Sequence, residues 1–464
     1  MRNRCLGVVL LGVLLGAISG CGAGGEDEGG PVVLPRQGLI RVVHVMPDAG
    51  RMTSFLSSSV FSAGQYAEAT VLQPELVGQY VMNILLTPPD NISTTLIENE
   101  PVDLTDDDEV SFFMLGSTAS PQTVRVDNID IAANVTSKTP PASYPLPDFQ
   151  ILHGATRTGA ADVYVTDAAA DLATATPTAT VDFGDVTPLK QQDPAVTYRV
   201  RVTPAGSKTV LYDSGSFATA RLQRSMYLLL DNFGPGGESL RVANVTAFGA
   251  EDFPNQTMQT AMRVANMIPD APVIDVYLGA VTGTPAFQNV AYGVTTAYQN
   301  VANGEVTVNI TRAGDAAVAA TGKITVVGGQ ALSVYASGLD ADDTARFASL
   351  VESQRSINDQ AQARFVVAAP SAGGIDMYLV SPGQPISDKP PVLSSAQLLA
   401  NSSVNLTPGS YDLYVTRTGT SVNLIGPEPI TVAGGGVYSI VLLDALGGAP
   451  GPLSVQFKQE TLPP

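Results

Sequence analysis

The stretch Arg263-Val-Ala-Asn-Met-Ile-Pro-Asp-Ala-Pro-Val-Ile-Asp275-Val-Tyr-Leu278 returns about a hundred residues later as Arg364-Phe-Val-Val-Ala-Ala-Pro-Ser-Ala-Gly-Gly-Ile-Asp376-Met-Tyr-Leu379. In both, a proline stands six residues after the arginine and Asp-x-Tyr-Leu begins twelve after it. Self-similarity at a fixed distance marks a repeated structural unit. Looser copies lie upstream: Arg41-Val-Val-His44 followed by Pro47-Asp48-Ala49, and Gln150-Ile-Leu-His153 followed by Asp162-Val-Tyr164-Val165. The four copies start near residues 40, 149, 262 and 363, a spacing that suits whole domains rather than the short turns of a solenoid.

A second landmark follows in each copy: Gly78-Gln-Tyr80, Thr197-Tyr198, Gly304-Glu-Val306 and Gly409-Ser-Tyr411, each opening an extended run. In the third copy Val306, Val308 and Ile310 alternate with Glu305, Thr307 and Asn309, the period of a strand with one buried and one wet face. Further apolar runs come at Val110–Leu115, Met226–Leu230, Ala331–Tyr335 and Val437–Leu443. With 44 glycines and 33 prolines to make turns, some seven short strands per copy predict an all-β chain of tandem immunoglobulin-like antiparallel β-sandwich modules. A barrel is the alternative. A parallel sheet is not expected, because no amphipathic helices are interleaved with the strands. The expected modules are 39–138, 147–250, 260–353 and 362–460, with Thr139-Pro140-Pro141 and Ser356–Gln362 as linkers.

The pattern Arg-Val-x-Asn/His-x-x-Pro-Asp-Ala-Pro-x-Ile-Asp-Val-Tyr resembles the bacterial module called domain of unknown function 4397. Residues 262–345 carry the resemblance best and the fourth copy carries it well. The first copy departs with Thr53 at the Asp position, and the second with Thr156 at the Pro position. The resemblance implies immunoglobulin-like sandwiches in secreted or surface-bound bacterial proteins, and it brings no assigned activity.

At the N-terminus, Arg2 and Arg4 precede an apolar run from Leu6 to Ile18, the charged and apolar regions of a secretory signal. The run falls short of the roughly 20 residues needed to span a bilayer. Ile18-Ser19-Gly20-Cys21 looks like the lipobox of bacterial lipoproteins, so residues 1–20 are read as a signal peptide and Cys21 as the lipidated residue. Residues 21–38 are Gly-rich and acidic, the composition of a flexible tether. By resemblance to the sorting rules of enterobacterial lipoproteins, Gly22 rather than Asp implies the outer membrane, on either its periplasmic face or the cell surface. Cys5 would leave with the signal, so no disulfide is expected.

The formal charge of −19 and the lack of a basic cluster argue against nucleic acid as a partner. His44 and His153 occupy the same place in two copies, where Asn266 and Val367 stand in the others; with no converging partners they are expected to be structural. The pairs Asp162 and Tyr164, Asp275 and Tyr277, and Asp376 and Tyr378 lie two residues apart and therefore share a strand face. An acid beside an aromatic could bind a cation or a sugar; the competing reading is a hydrogen bond from each Asp to a neighbouring turn. In the Pro-Asp-Ala turns, the Asp is expected to cap its own turn. The acidic clusters Asp106–Glu109 and Asp340–Asp343 lack the alternating spacing of a calcium loop, so no metal or cofactor is expected. No nucleophile elbow, zinc-protease helix or phosphate loop occurs. The expectation is a non-catalytic, lipid-anchored cell-envelope protein for adhesion, scaffolding or ligand display, with envelope glycan or another surface protein as partner; polysaccharide binding and an unfamiliar hydrolase are the alternatives.

Overall fold

A computed structural model describes residues 36–106, 108–129, 146–220, 223–233, 240–253, 255–447 and 452–460. The signal peptide, Cys21, residues 21–35 of the tether and the linker Thr139-Pro140-Pro141 lie outside the described residues, whereas Gln37 and Gly38, read as tether, open the first strand. Among those residues the chain is almost entirely strand and turn, with a single 3-10 turn at Pro370–Ala372, and no helix is long and apolar enough to cross a membrane.

The third module shows the plan. Its strands, in chain order, are Thr260–Met267, Val273–Leu278, Phe287–Ala291, Gln299–Val301, Gly304–Arg312, Val318–Val326, Ala331–Ser337 and Arg346–Glu352. One sheet runs fourth-first-seventh-eighth and the facing sheet third-second-fifth-sixth. The alternation read in Gly304–Arg312 has this cause: Val308 and Ile310 point into the core between the sheets. The same two orders recur at Gln37–Ile129, Asp148–Thr246 and Ala361–Gln459, with a ninth strand, Gly249–Phe253, added at one sheet edge of the second module.

The strand pairing departs from a purely antiparallel sandwich in one respect. In every module the first and seventh strands pair in parallel, as Arg263 with Ser333 and Arg364 with Ser439. No crossover helix is needed, because the chain between these strands passes through the other sheet. Among the described residues each module has eight strands, or nine in the second, rather than about seven, since two- to four-residue edge strands such as Lys190–Gln191 carry too little pattern to be read.

The first and seventh strands are buried along nearly their whole length. One face serves the module's own core, through Met262, Val264, Leu332 and Val334 in the third module. The other face packs on a neighbouring module. Ala265, Met267 and Tyr335 of the third meet Val366, Ala368, Val441 and Leu443 of the fourth. Val43, Val45, Phe113 and Leu115 of the first meet Leu152, Met226, Leu228 and Leu230 of the second. The modules therefore stack sheet against sheet in two pairs rather than end to end. Burying each larger side chain in such a seam contributes about 1.5–3 kcal/mol.

Candidate functional site

The three Asp–Tyr pairs sit on second strands, each in its own module, and their carboxylates are committed. Asp275 is 7% exposed; one oxygen accepts the Asn289 N–H at 2.8 Å and the other the Gly314 N–H at 3.0 Å. Asp376 takes the N–H groups of Ser395 (2.6 Å) and Gly419 (3.1 Å). Asn289 and Ser395 hold left-handed backbone (φ 53° and 49°) at a break in strand register, so the carboxylate secures a bulge on one side and the turn after the fifth strand on the other. The second module has no such break, and Asp162 accepts from the Thr180 hydroxyl (2.6 Å) and the Gly206 N–H (2.8 Å). In the first module Thr53 bonds the Thr87 hydroxyl at 2.9 Å. Tyr164 is buried, with Lys208 Nζ 3.0 Å from its hydroxyl; Tyr277 and Tyr378 are partly exposed. Each Asp is thus a clasp between its strand and a turn, which is the second of the two readings above.

His44 and Asn266 do one job with different chemistry. The Met46 N–H donates to His44 Nδ1 at 3.2 Å, so the proton sits on Nε2, which donates to the Gly50 carbonyl at 2.8 Å. Asn266 accepts the Ile268 N–H at 3.1 Å and donates to the Ala271 carbonyl at 3.0 Å. Each side chain staples the turn that follows the first strand. His153 repeats the contact to Gly159 at 3.0 Å. Burial pulls the His44 pKa from 6.5 to about 3, against the upward pull of its bond to Gly50. Below pH 6.5 the unfolded chain gains a proton that the folded module refuses, so stability falls by about 1.4 kcal/mol per pH unit until the folded pKa is reached. The His44→Asn variant should lose less stability than the parent between pH 6.5 and about 4 in denaturant titrations followed by circular dichroism. Parallel losses in the two proteins would contradict this.

The Pro-Asp-Ala turns do not cap themselves. Asp48 accepts from Thr118 N and Oγ1 (3.0 and 2.8 Å), and Asp270 from the N–H groups of Asp340 and Ala341 (3.0 and 2.9 Å), all in the hairpin after the seventh strand. In the other two modules the carboxylate comes from the opposite side. Asp231 accepts the N–H groups of Thr156 and Arg157 (3.0 and 2.9 Å), and Asp444 that of Ser371 (3.0 Å). The strand register places Gly116 and Gly338 where Asp231 and Asp444 stand. Both glycines have positive φ (84° and 108°), and a Cβ there would come within 2.4 and 2.3 Å of the Ser120 and Thr344 carbonyl oxygens. The first and third modules are one type, the second and fourth the other.

The repeated arginine lies in the seams. Arg263 donates to Ser333 Oγ (2.7 Å), Glu460 (2.6 Å) and Glu352 (2.6 Å); Arg364 reaches the other oxygen of Glu352 at 2.7 Å, and the Tyr298 hydroxyl donates to Glu352 at 2.5 Å. Burial alone would lower the Arg263 pKa, but Glu460 and Glu352 outweigh it and the net shift is upward. Arg41 repeats the bond to serine (Ser111 Oγ, 2.8 Å) but meets the Thr246 carbonyl where Arg263 has Glu460. Burial therefore lowers it to about 10, opposed by Glu109. A tyrosine hydroxyl ties each pair as well, Tyr66 to the Asp231 carbonyl (3.1 Å) and Tyr292 to that of Asp444 (2.6 Å).

Residues 260–378 match the family model described as Domain of unknown function (DUF4397). The DUF4397 match takes in the whole third module, Glu352 and Arg364, and ends on the second strand of the fourth. No curated protein matches the chain. Among solved structures the Bacillus anthracis TIE protein aligns over 90% of this chain and 76% of its own, at 9% identity and a TM-score of 0.14, too low to bear on the fold.

Outside the DUF4397 motif residues, one further cluster stands out. Tyr66 has the guanidinium of Arg241 at 5.4 Å and that of Arg355 at 5.1 Å from its ring centre, with Phe233 edge-on at 5.9 Å. A cleft of about 360 Å³ opens beside it, lined by residues of the first three modules and both flanking linkers. Nothing in the repeat announces it, because Arg355 lies in a linker and Tyr66 in a loop. Among the described residues no group of three or more His, Cys, Asp or Glu side chains is placed to hold a metal.

Proposed function

We propose that this chain is a lipid-anchored, non-catalytic protein of the cell envelope, in which paired β-sandwich modules act as a rigid body for adhesion, scaffolding or ligand display. The observation that supports this reading best is how the repeated polar residues are used. The clasp carboxylates, the turn staple, the Asp at the hairpin and the seam arginines all bond within the chain, so what the repeat preserves is a rigid stack. The Ile18-Ser19-Gly20-Cys21 sequence supports attachment through Cys21, and Gly22 supports the outer membrane. Replacing Cys21 with Ala should move a folded protein from the membrane to the soluble fraction in cell fractionation. Retention in the membrane would refute the anchor, and resistance of the parent to protease added to intact cells would refute outward display. Polysaccharide binding is the second reading, favoured by the cleft beside Tyr66, which joins cationic, amide and aromatic side chains.

A further inference from the structure

We propose that the cleft beside Tyr66 binds a small organic anion, seating its carboxylate or phosphate on the Nε/Nη2 edge of Arg355. Arg355 comes from the linker after the third module and lines the cleft. Its Nη1 donates to the carbonyls of Pro47 (2.9 Å) and Ala49 (2.6 Å), which anchors the linker on the first module. Those two bonds use both Nη1 hydrogens and leave the Nε and Nη2 hydrogens, the edge that takes carboxylate or phosphate in two parallel bonds. Among the described residues no carboxylate is hydrogen-bonded to Arg355; Asp48 and Asp359 act on it only through their charge.

The acidic groups around the cleft are already committed. Asp231 holds the Thr156 and Arg157 N–H groups, Glu352 holds Arg263 and Arg364, and Asp252 pairs with Arg241 at 2.9 Å. Partial burial lowers the Arg355 pKa to about 10, so the charge is poorly solvated where it stands. In such surroundings a charge-assisted bond is stronger than in water. Gln330, with no side-chain partner among the described residues, and Met258 complete a wall that could meet the body of the ligand. The volume lies at the small end of ligand pockets, fitting a single sugar acid or sugar phosphate.

Glucuronate, glucose 6-phosphate and neutral glucose share one body and separate the two anionic sources from each other and from plain sugar recognition. The full chain, labelled at its methionine methyl groups, would be titrated with each. Met258 reports from the cleft, whereas Met114 and Met377 lie in module cores. One or both anions should shift the Met258 signal saturably with millimolar or tighter affinity, while glucose binds at least about tenfold more weakly. Arg355→Gln should abolish the shift and Arg355→Lys weaken it, with the core methionine signals unmoved as proof of folding. Equal binding of glucose, no saturation by either anion up to about 50 mM, or unchanged binding by a folded Arg355→Gln variant would overturn the proposal. The site gives a ligand class to the binding reading but does not use the anchor. Loss of anion binding would leave membrane attachment through Cys21 standing, and release of the parent from membranes would leave the cleft standing.

Discussion

Replacing Glu352 with Gln should cost about 3–5 kcal/mol and loosen the fourth module from the third. The Glu352 side chain is fully buried, and its carboxylate holds two guanidiniums, of Arg263 and Arg364, each of which is itself less than a tenth exposed. The amide cannot neutralise them, so two buried cations lose their shared counter-charge, and Glu460 remains for Arg263 alone. Denaturant melts should show a lower midpoint, and hydrogen exchange should rise at the Ala361–Val367 strand, whose outer face meets the third module. A change below about 1 kcal/mol would mean that the charges are solvated and the seam open. Glu352→Leu with Arg263 and Arg364 both changed to Met should recover much of the loss, because a well-packed apolar replacement of a buried ionic cluster is often neutral or stabilising.

The second large effect is expected at the clasp. Asp275→Ala leaves the N–H groups of Asn289 and Gly314 without their carboxylate, and bonds to a charged acceptor contribute about 1.5–3 kcal/mol each. A loss of about 3 kcal/mol in the third module is predicted, against less than about 1 kcal/mol for Tyr277→Ala on the partly exposed neighbour. Equal, small losses at both positions, measured by denaturant titration, would argue that the carboxylate is free to serve a ligand.

Much of the fold could be read in the chain because its patterns are local. The alternation in Gly304–Arg312 and the recurring Arg, Pro and Asp-x-Tyr-Leu spacing point to repeated two-sheet units, and the structure has them. The parallel pairing of first and seventh strands was not legible, since strand period is the same for either direction. The seams left a trace that was open to another reading. Arg263-Val-Ala-Asn-Met267 and Ala331-Leu-Ser-Val-Tyr335 do not alternate cleanly, as expected of strands covered on both faces. The serines opposite the arginines, Ser111, Ser333 and Ser439, are visible only once the seventh strands are aligned. The exchange of Asp48 and Gly116 for Arg157 and Asp231 likewise needs two distant positions compared together. The cleft could not be read at all, for Tyr66, Arg241 and Arg355 are distant in sequence and meet only because the modules stack.

The pairwise stacking of the modules can be measured by small-angle X-ray scattering of residues 37–464. A compact chain of this length has a radius of gyration of about 22 Å, and two stacked pairs should stay below roughly 30 Å. Four sandwiches in single file, each about 33 Å long, would make a rod of about 130 Å with a radius of gyration of about 38 Å. A value near 25 Å would support paired modules; one of about 35 Å or more would contradict them.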